Sequence, residues 1–268
     1  MNDQNQEMLE NQEALTRMVE PDAPKMGAVQ RVINIFISPG ELMQNIKLYP
    51  VVLVPFIVSV IIGLASLPVV GQVQDIMMQE LSNISIERYG FDMMGFAGQA
   101  DIYGDLDMDA IMDATTMVMG IAGAVFTPLI IGFLAALGLW ILSKICKGGA
   151  TLGQMFSMQM HIYIFVAVAS LISSFLMVST GRFLDMTSLA AVMMPDGNIS
   201  MVMFNVLSAI SIFNIWTVIL NFVGVKIING FSNVKAGVIA FVYFLATTVI
   251  YVGITMSTFF FWDMAMGM

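Results

Sequence analysis

Four closely spaced aspartates have the clearest potential for metal chemistry in this chain. They are Asp105, Asp107, Asp109 and Asp113, in the stretch DLDMDAIMDATT. Carboxylates at alternate positions open a calcium-binding loop, but that loop also needs glycine at its sixth position and a bidentate glutamate at its twelfth. The chain has Ala110 and Thr116 at those two positions. We therefore interpret the aspartates as a solvated acidic approach to a helix, and we predict no calcium site.

The 26 methionines suggest a second kind of metal site, because their soft thioethers suit Cu(I). They are scattered over every segment, however, and methionine commonly fills irregular apolar packing. The single cysteine, Cys146, and the single histidine, His161, cannot supply a ligand set of their own. We predict that the methionines pack the core, that His161 is hydrogen-bonded in the core or lies at the membrane interface, and that no metal is bound.

Catalytic motifs are also missing from the sequence. It contains no nucleophile elbow, phosphate-binding loop, metalloprotease helix or paired-carboxylate motif. We therefore predict that the protein is not an enzyme and that it uses no cofactor.

The elements that position these residues are membrane helices. Only 11% of the 268 residues are charged and 58% are hydrophobic, whereas soluble proteins have about 25% and about 45 to 50%. Five charge-free runs each exceed the roughly 20 residues that a spanning helix needs. They cover 48–74, 114–143, 148–181, 197–225 and 236–262. We predict an all-α integral membrane protein with five transmembrane helices, preceded by cytoplasmic amphipathic interfacial helices.

The positions of lysine and arginine predict the orientation. Of these ten residues, only Arg88 and Arg182 lie on the side opposite to the N-terminus. The others are Arg17, Lys25, Arg31, Lys47, Lys144, Lys147, Lys226 and Lys235. The positive-inside rule then predicts a cytoplasmic N-terminus and an outer C-terminus. We favour a bacterial cytoplasmic membrane; in a eukaryote we expect an endomembrane, where the outer sequons at Asn83 and Asn198 could be glycosylated.

The chain divides into three parts. Residues 1–26 are polar and acidic, which predicts a mobile cytoplasmic tail. Residues 27–48 have the pattern of two amphipathic helices, and we call them the collar. Residues 49–268 form the membrane bundle, which includes an outer acidic loop at 71–114.

The first collar helix has two distinct faces. Val29, Ile33 and Phe36 share one face at helical spacing, and Arg31 and Asn34 lie on the other. This pattern predicts a helix that lies along the cytoplasmic surface of the membrane.

The second collar helix has a clear start and a clear end. Ser38 and Glu41 match the S-x-x-E capping box, and Pro39 occupies the first helical position. Pro50 should end the helix before the first span.

Two patterns within the spans predict how the helices pack. On the second span, Gly120 and Ala124 are four residues apart, as are Gly132 and Ala136, and this spacing lets helix backbones approach closely. The fourth and fifth spans carry polar stripes, which hydrogen-bond one helix to another or line a polar pore. The stripes are Ser208, Ser211, Asn214 and Asn221 on the fourth span, and Thr248, Tyr251 and Thr255 on the fifth.

Three stretches resemble the Yip (Ypt-interacting protein) domain family of five-span membrane proteins. They are IFISPGELMQNIKLYP before the first span, KGGATLGQMFSMQMHIY after the second, and WTVILNFVGVKIINGFSNVKAGVIA at the fourth. The resemblance lies within residues 36–240 and implies five spans with a cytoplasmic N-terminus. Eukaryotic members are implicated in Rab GTPase binding and vesicle traffic, but we place this chain with the bacterial-type members.

The resemblance and the missing chemistry together suggest two functions. The first is a non-catalytic scaffold or assembly factor that binds a protein partner or membrane complex, such as an exporter, at its cytoplasmic face. The predicted partner-binding residues are Ser38, Pro39, Glu41, Lys47, Lys144, Lys147, Gly148, Gly149, Lys226 and Lys235. The alternative is a conduit for ions or small solutes along the polar stripes. We expect membrane lipids as further partners, and no nucleic acid.

Overall fold

The computed structural model describes residues 24–89, 108–193 and 201–265, and these residues form nine helices. In chain order they are α1 (Ala28–Ile37), α2 (Pro39–Leu48), α3 (Leu53–Tyr89), α4 (Met108–Ile145), α5 (Leu152–Thr180), α6 (Leu189–Met193), α7 (Met201–Ala209), α8 (Ile212–Asn229) and α9 (Asn233–Ala265). The all-helical prediction is confirmed for this part of the chain. Residues 1–23, Asp105, Asp107 and Asn198 lie outside the described residues, as do the side chains of Asn83, Asp109 and Asp113.

Five of the helices are long and apolar enough to cross a membrane, as predicted. The candidate spans are Leu53–Glu80 in α3, Ala114–Ile145 in α4, Leu152–Thr180 in α5, Ile212–Asn229 in α8 and Asn233–Ser257 in α9. Helices α3 and α4 also extend well into the predicted outer loop at 71–114. A helix need not end where its apolar run ends, and no proline follows Pro68 before the described end of α3.

The charge-free run at 197–225 is not one helix, because the helical conformation is interrupted between α7 and α8. Ser211 ends the break as the N-cap of α8, and its hydroxyl oxygen accepts a hydrogen bond from the backbone N of Asn214 at 3.1 Å. Residues 187–189 pair with residues 210–212 across the break as an isolated antiparallel bridge. The remaining 18 residues of α8 reach about 27 Å, close to the thickness of a bilayer's hydrocarbon core.

The small residues of α4 lie at helix contacts, as predicted. A Cβ added at Gly120 would lie 2.9 Å from a side chain of α3, and one added at Gly63 on α3 would lie 3.1 Å from the Cβ of Ala124. One added at Gly132 would lie 2.9 Å from a side chain of α5, and Ala136 is fully buried. These contacts let α4 pack closely against both neighbouring spans.

The second collar helix belongs to the core of the bundle. Leu42, Met43 and Ile46 of α2 are fully buried, and α2 contacts both α5 and α8. The tightest point is Gly224 on α8, where an added Cβ would meet the thioethers of Met158 and Met43. Glu41, Gln44 and Lys47 form the opposite, exposed face of α2. We call the end of the bundle where α4 leads into α5, and α8 into α9, the collar end.

The predicted capping box at Ser38 and Glu41 is wrong. Ser38 makes no side-chain capping hydrogen bond, and its backbone has φ −142° and ψ 60°. The residue is also the C-cap of α1, and its N–H donates to the carbonyl of Asn34 at 3.0 Å. One residue that closes one helix and opens the next cannot keep the extended backbone of a capping box. Pro39 does begin α2, and the helix ends before Pro50, as predicted.

One hydroxyl joins the central span to the segment between α2 and α3. The Oγ of Ser157 on α5 accepts from the N–H of Val51 at 2.9 Å and donates to the carbonyl of Val51 at 2.8 Å. Val51 lies between two helices, so these two backbone groups lack the partners that a helix would provide. Ser157 is fully buried and satisfies both of them.

We expect Ser157→Ala to lower the free energy of unfolding by about 1 to 3 kcal/mol, because both backbone groups of Val51 would lose their partner. Thermal unfolding of the purified protein in detergent would measure the change. Ser66→Ala is the matched control, since that hydroxyl only donates to the carbonyl of Gly63 in its own helix. Equal effects of the two substitutions would contradict a special role of Ser157.

Candidate functional site

The first collar helix turns its polar face toward the protein and its apolar face outward. Arg31 and Asn34 are only 2% and 6% exposed. Val29 and Ile37, on the other face, are 72% and 70% exposed. The sequence correctly predicts two faces. Ile35 is fully buried in the core and Phe36 contacts Phe165 of α5, but the rest of the apolar face of α1 stays exposed, unlike that of α2.

The buried guanidinium of Arg31 uses all three of its nitrogens. Nε donates to the carbonyl of Met26 at 3.3 Å, Nη1 to the carbonyl of Tyr49 at 3.0 Å, and Nη2 to Oδ1 of Asn45 at 2.6 Å. All three acceptors are neutral oxygens. Tyr49 is the C-cap of α2, and the partial negative charge at a helix C-terminus favours a nearby cation.

Asn45 extends this cluster to the residues that precede α1. Its Nδ2 donates to the carbonyl of Pro24 at 3.1 Å, and its Oδ1 also accepts from the N–H of Met26 at 3.4 Å. Burial lowers the pKa of the Arg31 guanidinium, because desolvation disfavours the charged form. The ordinary pKa of arginine is so high that the group stays charged. We call Arg31, Asn45 and the backbone oxygens around them the arginine cluster.

His161 lies close enough to Arg31 for an electrostatic interaction, and it is fully buried. Its Nδ1 is 2.7 Å from the carbonyl oxygen of Ser157, so Nδ1 carries the hydrogen. Within the described part of the chain, Nε2 is buried without a hydrogen-bond partner. The histidine is therefore in the core, one of the two predicted locations, with one ring nitrogen satisfied.

The turn between α4 and α5 has a fixed shape. Lys147 has a left-handed backbone with φ 60°, and its N–H donates to the carbonyl of Lys144 at 2.9 Å. The N–H of Gly148 donates to the carbonyl of Ser143 at 2.7 Å. This pair of bonds is a Schellman motif, with lysine in the position that glycine usually occupies.

Gly148 is at this turn because no side chain fits there. An added Cβ would lie within 3 Å of the Asn229 side chain, the Phe231 ring and the carbonyl oxygen of Ser143. Asn229, the last residue of α8, also accepts a hydrogen bond from the N–H of Ala150 at 3.1 Å. The two helix-to-helix turns at the collar end therefore hold each other in place.

An open cleft of about 500 Å³ lies at these two turns. It is lined by Cys146, Gly230, Phe231, Ser232, Val234, Lys235 and Val238. Lys235 lies over the Phe231 ring, 4.7 Å from its centroid. We call this feature the collar-end cleft. A second cleft of about 390 Å³ is lined by apolar residues of α4 and α5.

The predicted partner-binding residues belong to the collar and to these two turns. Six are exposed, namely Glu41, Lys47, Lys144, Lys147, Gly149 and Lys235; three are half-buried, namely Ser38, Pro39 and Lys226; and Gly148 is buried. Helix α2 contacts α8 and the start of α5, where the side chain of Gln154 donates to the carbonyl of Lys47 at 2.7 Å. Sequence reasoning assigned no role to Asn45 or Asn229. A buried asparagine carries little signal in a sequence, although Asn229 directly precedes a glycine that ends a helix.

The polar stripes are used mainly for internal hydrogen bonds. Asn221 accepts from the side chain of Gln159 on α5 at 2.6 Å, deep in the bundle. Ser211 and Asn214 shape the start of α8, and Thr255 donates to the carbonyl of Tyr251 in its own helix. Only the bond between Asn221 and Gln159 joins two spans, as the first of the two interpretations of the stripes predicts; the other bonds are local.

We expect Arg31→Ala to lower the free energy of unfolding by about 2 to 4 kcal/mol. One buried and two part-buried hydrogen bonds would be lost, and a fully buried oxygen that loses its donor costs about 1 to 3 kcal/mol. Thermal unfolding in detergent would measure it. The control is Gln30→Ala at the neighbouring exposed residue, where we expect less than about 0.5 kcal/mol. If both variants unfold like the wild type, the arginine cluster does not hold the collar.

Gly148→Ala should destabilise the protein by about 1 to 3 kcal/mol, because the added methyl group must displace Asn229 or the turn itself. Gly149→Ala is a control at the next residue, where an added Cβ meets nothing within 4 Å. We expect no measurable change there. Equal stability of the two alanine variants would show that Gly148 is not required by packing.

Comparison with known proteins identifies the family of the chain. Residues 33–255 match the family model of the Yip1 domain, which is most of the chain. Comparison with curated proteins and with solved structures gave no match. The match covers all five candidate spans almost completely and begins within the first collar helix. The chain therefore belongs to the Yip1-domain family of integral membrane proteins.

Proposed function

We propose that this protein is a non-catalytic membrane scaffold or assembly factor that binds a protein partner, plausibly a membrane complex such as an exporter, at its collar end. The collar-end cleft carries the proposal. It lies beside the turn that holds Lys147, Gly148 and Gly149, and it combines an apolar floor with the cation of Lys235. Partially apolar clefts with a few charged groups at the rim are typical of recognition surfaces.

The surface around the cleft suits recognition because its backbone is fixed. Asn229 joins the two turns, and Gln154 joins α2 to α5. Little of this protein's own backbone has to become ordered when a partner binds here, and this lowers the entropic cost of association. Lys144, Lys147 and Lys235 are exposed on this fixed surface, so a partner with a complementary acidic patch would be favoured.

The absence of catalysis is part of the proposal. Among the side chains that the structure describes, no three His, Cys, Asp or Glu residues gather into a potential metal site. The Yip1 family is not known as enzymatic. The lysine and arginine distribution supports a cytoplasmic location for the collar end, and we propose a bacterial cytoplasmic membrane as the host membrane.

The buried face of α2 determines how the proposal has to be tested. Deletion of residues 27–48 would remove Leu42, Met43 and Ile46 from the core and would disturb the whole bundle. Substitution of exposed lysines leaves that core intact.

We expect the triple variant Lys144→Gln, Lys147→Gln and Lys235→Gln to lose most of its bound partner, because Lys235 lines the cleft and Lys144 and Lys147 lie at the adjoining turn between α4 and α5. The measurement is cross-linking in intact membranes followed by mass spectrometry, expressed as partner recovered per molecule of inserted protein. Arg182→Gln is the matched control, since Arg182 is exposed at the opposite end of the bundle. An unchanged ratio in the triple variant would contradict docking at this face.

A further inference from the structure

The outward face of α1 is an apolar surface that the proposed function does not use. Val29, Ile33, Phe36 and Ile37 are all exposed, although each is a large apolar residue. Contact with water at four such side chains at once is unfavourable, so this stripe needs an apolar partner.

The stripe cannot turn inward to find that partner. Arg31 lies on the opposite side of α1, and its three hydrogen bonds hold that side against α2 and the residues before α1. Rotation of α1 would break these bonds and move the cation into apolar surroundings. The arginine cluster therefore fixes the direction that the stripe faces.

The position of the stripe along the spans favours lipid. The ring of Phe36 lies 5.9 Å from the ring of Phe165 on α5. Phe165 follows Leu152, the first residue of α5, by 13 residues, which corresponds to about 20 Å along the helix. Phe165 in turn lies 6.3 Å from Phe213, a residue near the far end of α8. Phe36 is thus well within the length of the spans.

Charge at the two ends of the collar agrees with this placement. Lys25 precedes α1 and Lys47 lies in the last turn of α2, and both side chains are exposed. Lysines at the border of an apolar surface can reach the phosphates of lipid head groups while their neighbours contact acyl chains.

We propose that α1 is embedded in the hydrocarbon region of the bilayer, with Val29, Ile33, Phe36 and Ile37 in contact with lipid acyl chains. The occupant of this face is lipid. The arginine cluster then holds a short, non-spanning helix within the bilayer with this face outward. This inference does not depend on the proposed function.

Spin labels on single cysteines would test the proposal in the full-length protein in phospholipid vesicles. The background is Cys146→Ser, and the labelled variants are Val29→Cys, Ile33→Cys and Ile37→Cys. Collision rates with oxygen, which is enriched among acyl chains, and with a water-soluble nickel chelate would be compared. Ile61→Cys, on an exposed position within the first span, gives the value for acyl chains, and Lys47→Cys gives the value at the membrane surface.

We expect the oxygen-to-nickel ratio at all three stripe positions to approach that of Ile61→Cys and to exceed that of Lys47→Cys several-fold. A ratio like that of Lys47→Cys would place the stripe outside the hydrocarbon and overturn the proposal. Low collision rates with both reagents would show that protein covers the stripe, either a partner or a second copy of this chain, and would overturn it as well.

Discussion

A positive charge that must be buried without a carboxylate organises the collar. The Arg31 guanidinium of α1 can be accommodated only where neutral oxygens converge, and these come from the residues before α1, from Asn45 of α2 and from Tyr49, the C-cap of α2. Removing a charge from water costs several kcal/mol unless its hydrogens are satisfied. The need to satisfy the Arg31 guanidinium therefore fixes the angle between the two collar helices, the end of α2 and the path of the chain into α1. Through the buried side of α2, it also affects the packing of α5 and α8.

The five spans and their close contacts follow from the sequence, because hydrocarbon thickness sets the length of an apolar run and small residues set how closely two helices approach. The faces of α1 do not follow in the same way. An amphipathic pattern shows that a helix has two sides. When the surroundings are lipid and not water, however, the pattern does not show which of the two sides faces the protein. Arg31 and Asn45 are 14 residues apart, and the hydrogen bond between them is apparent only in the folded chain.

Helix capping is likewise only partly predictable from the sequence. The S-x-x-E pattern at Ser38 fails because that residue must also end the preceding helix. The related pattern at Thr151 and Gln154 does form a reciprocal capping box at the start of α5. Sequence spacing is the same in the two cases, and the difference is whether the cap residue is free to adopt an extended backbone. The break before α8 has a comparable origin, since Ser211 is a cap and not a member of a continuous stripe. The candidate site was only partly predictable, because its lysines stand out in the sequence but the cleft depends on how Asn229 joins two distant turns.

The buried face of α2 has a consequence for the synthesis of the protein. Leu42, Met43 and Ile46 are translated before any span, whereas α8, which covers them, is nearly the last helix to be translated. At typical elongation rates the interval between Met43 and Gly224 is on the order of ten seconds or more. During that time α5 is the only one of the two spans in contact with α2 that has been made. The burial of α2 is therefore completed only when α8 arrives, so one of the earliest helices of the bundle docks onto one of its latest.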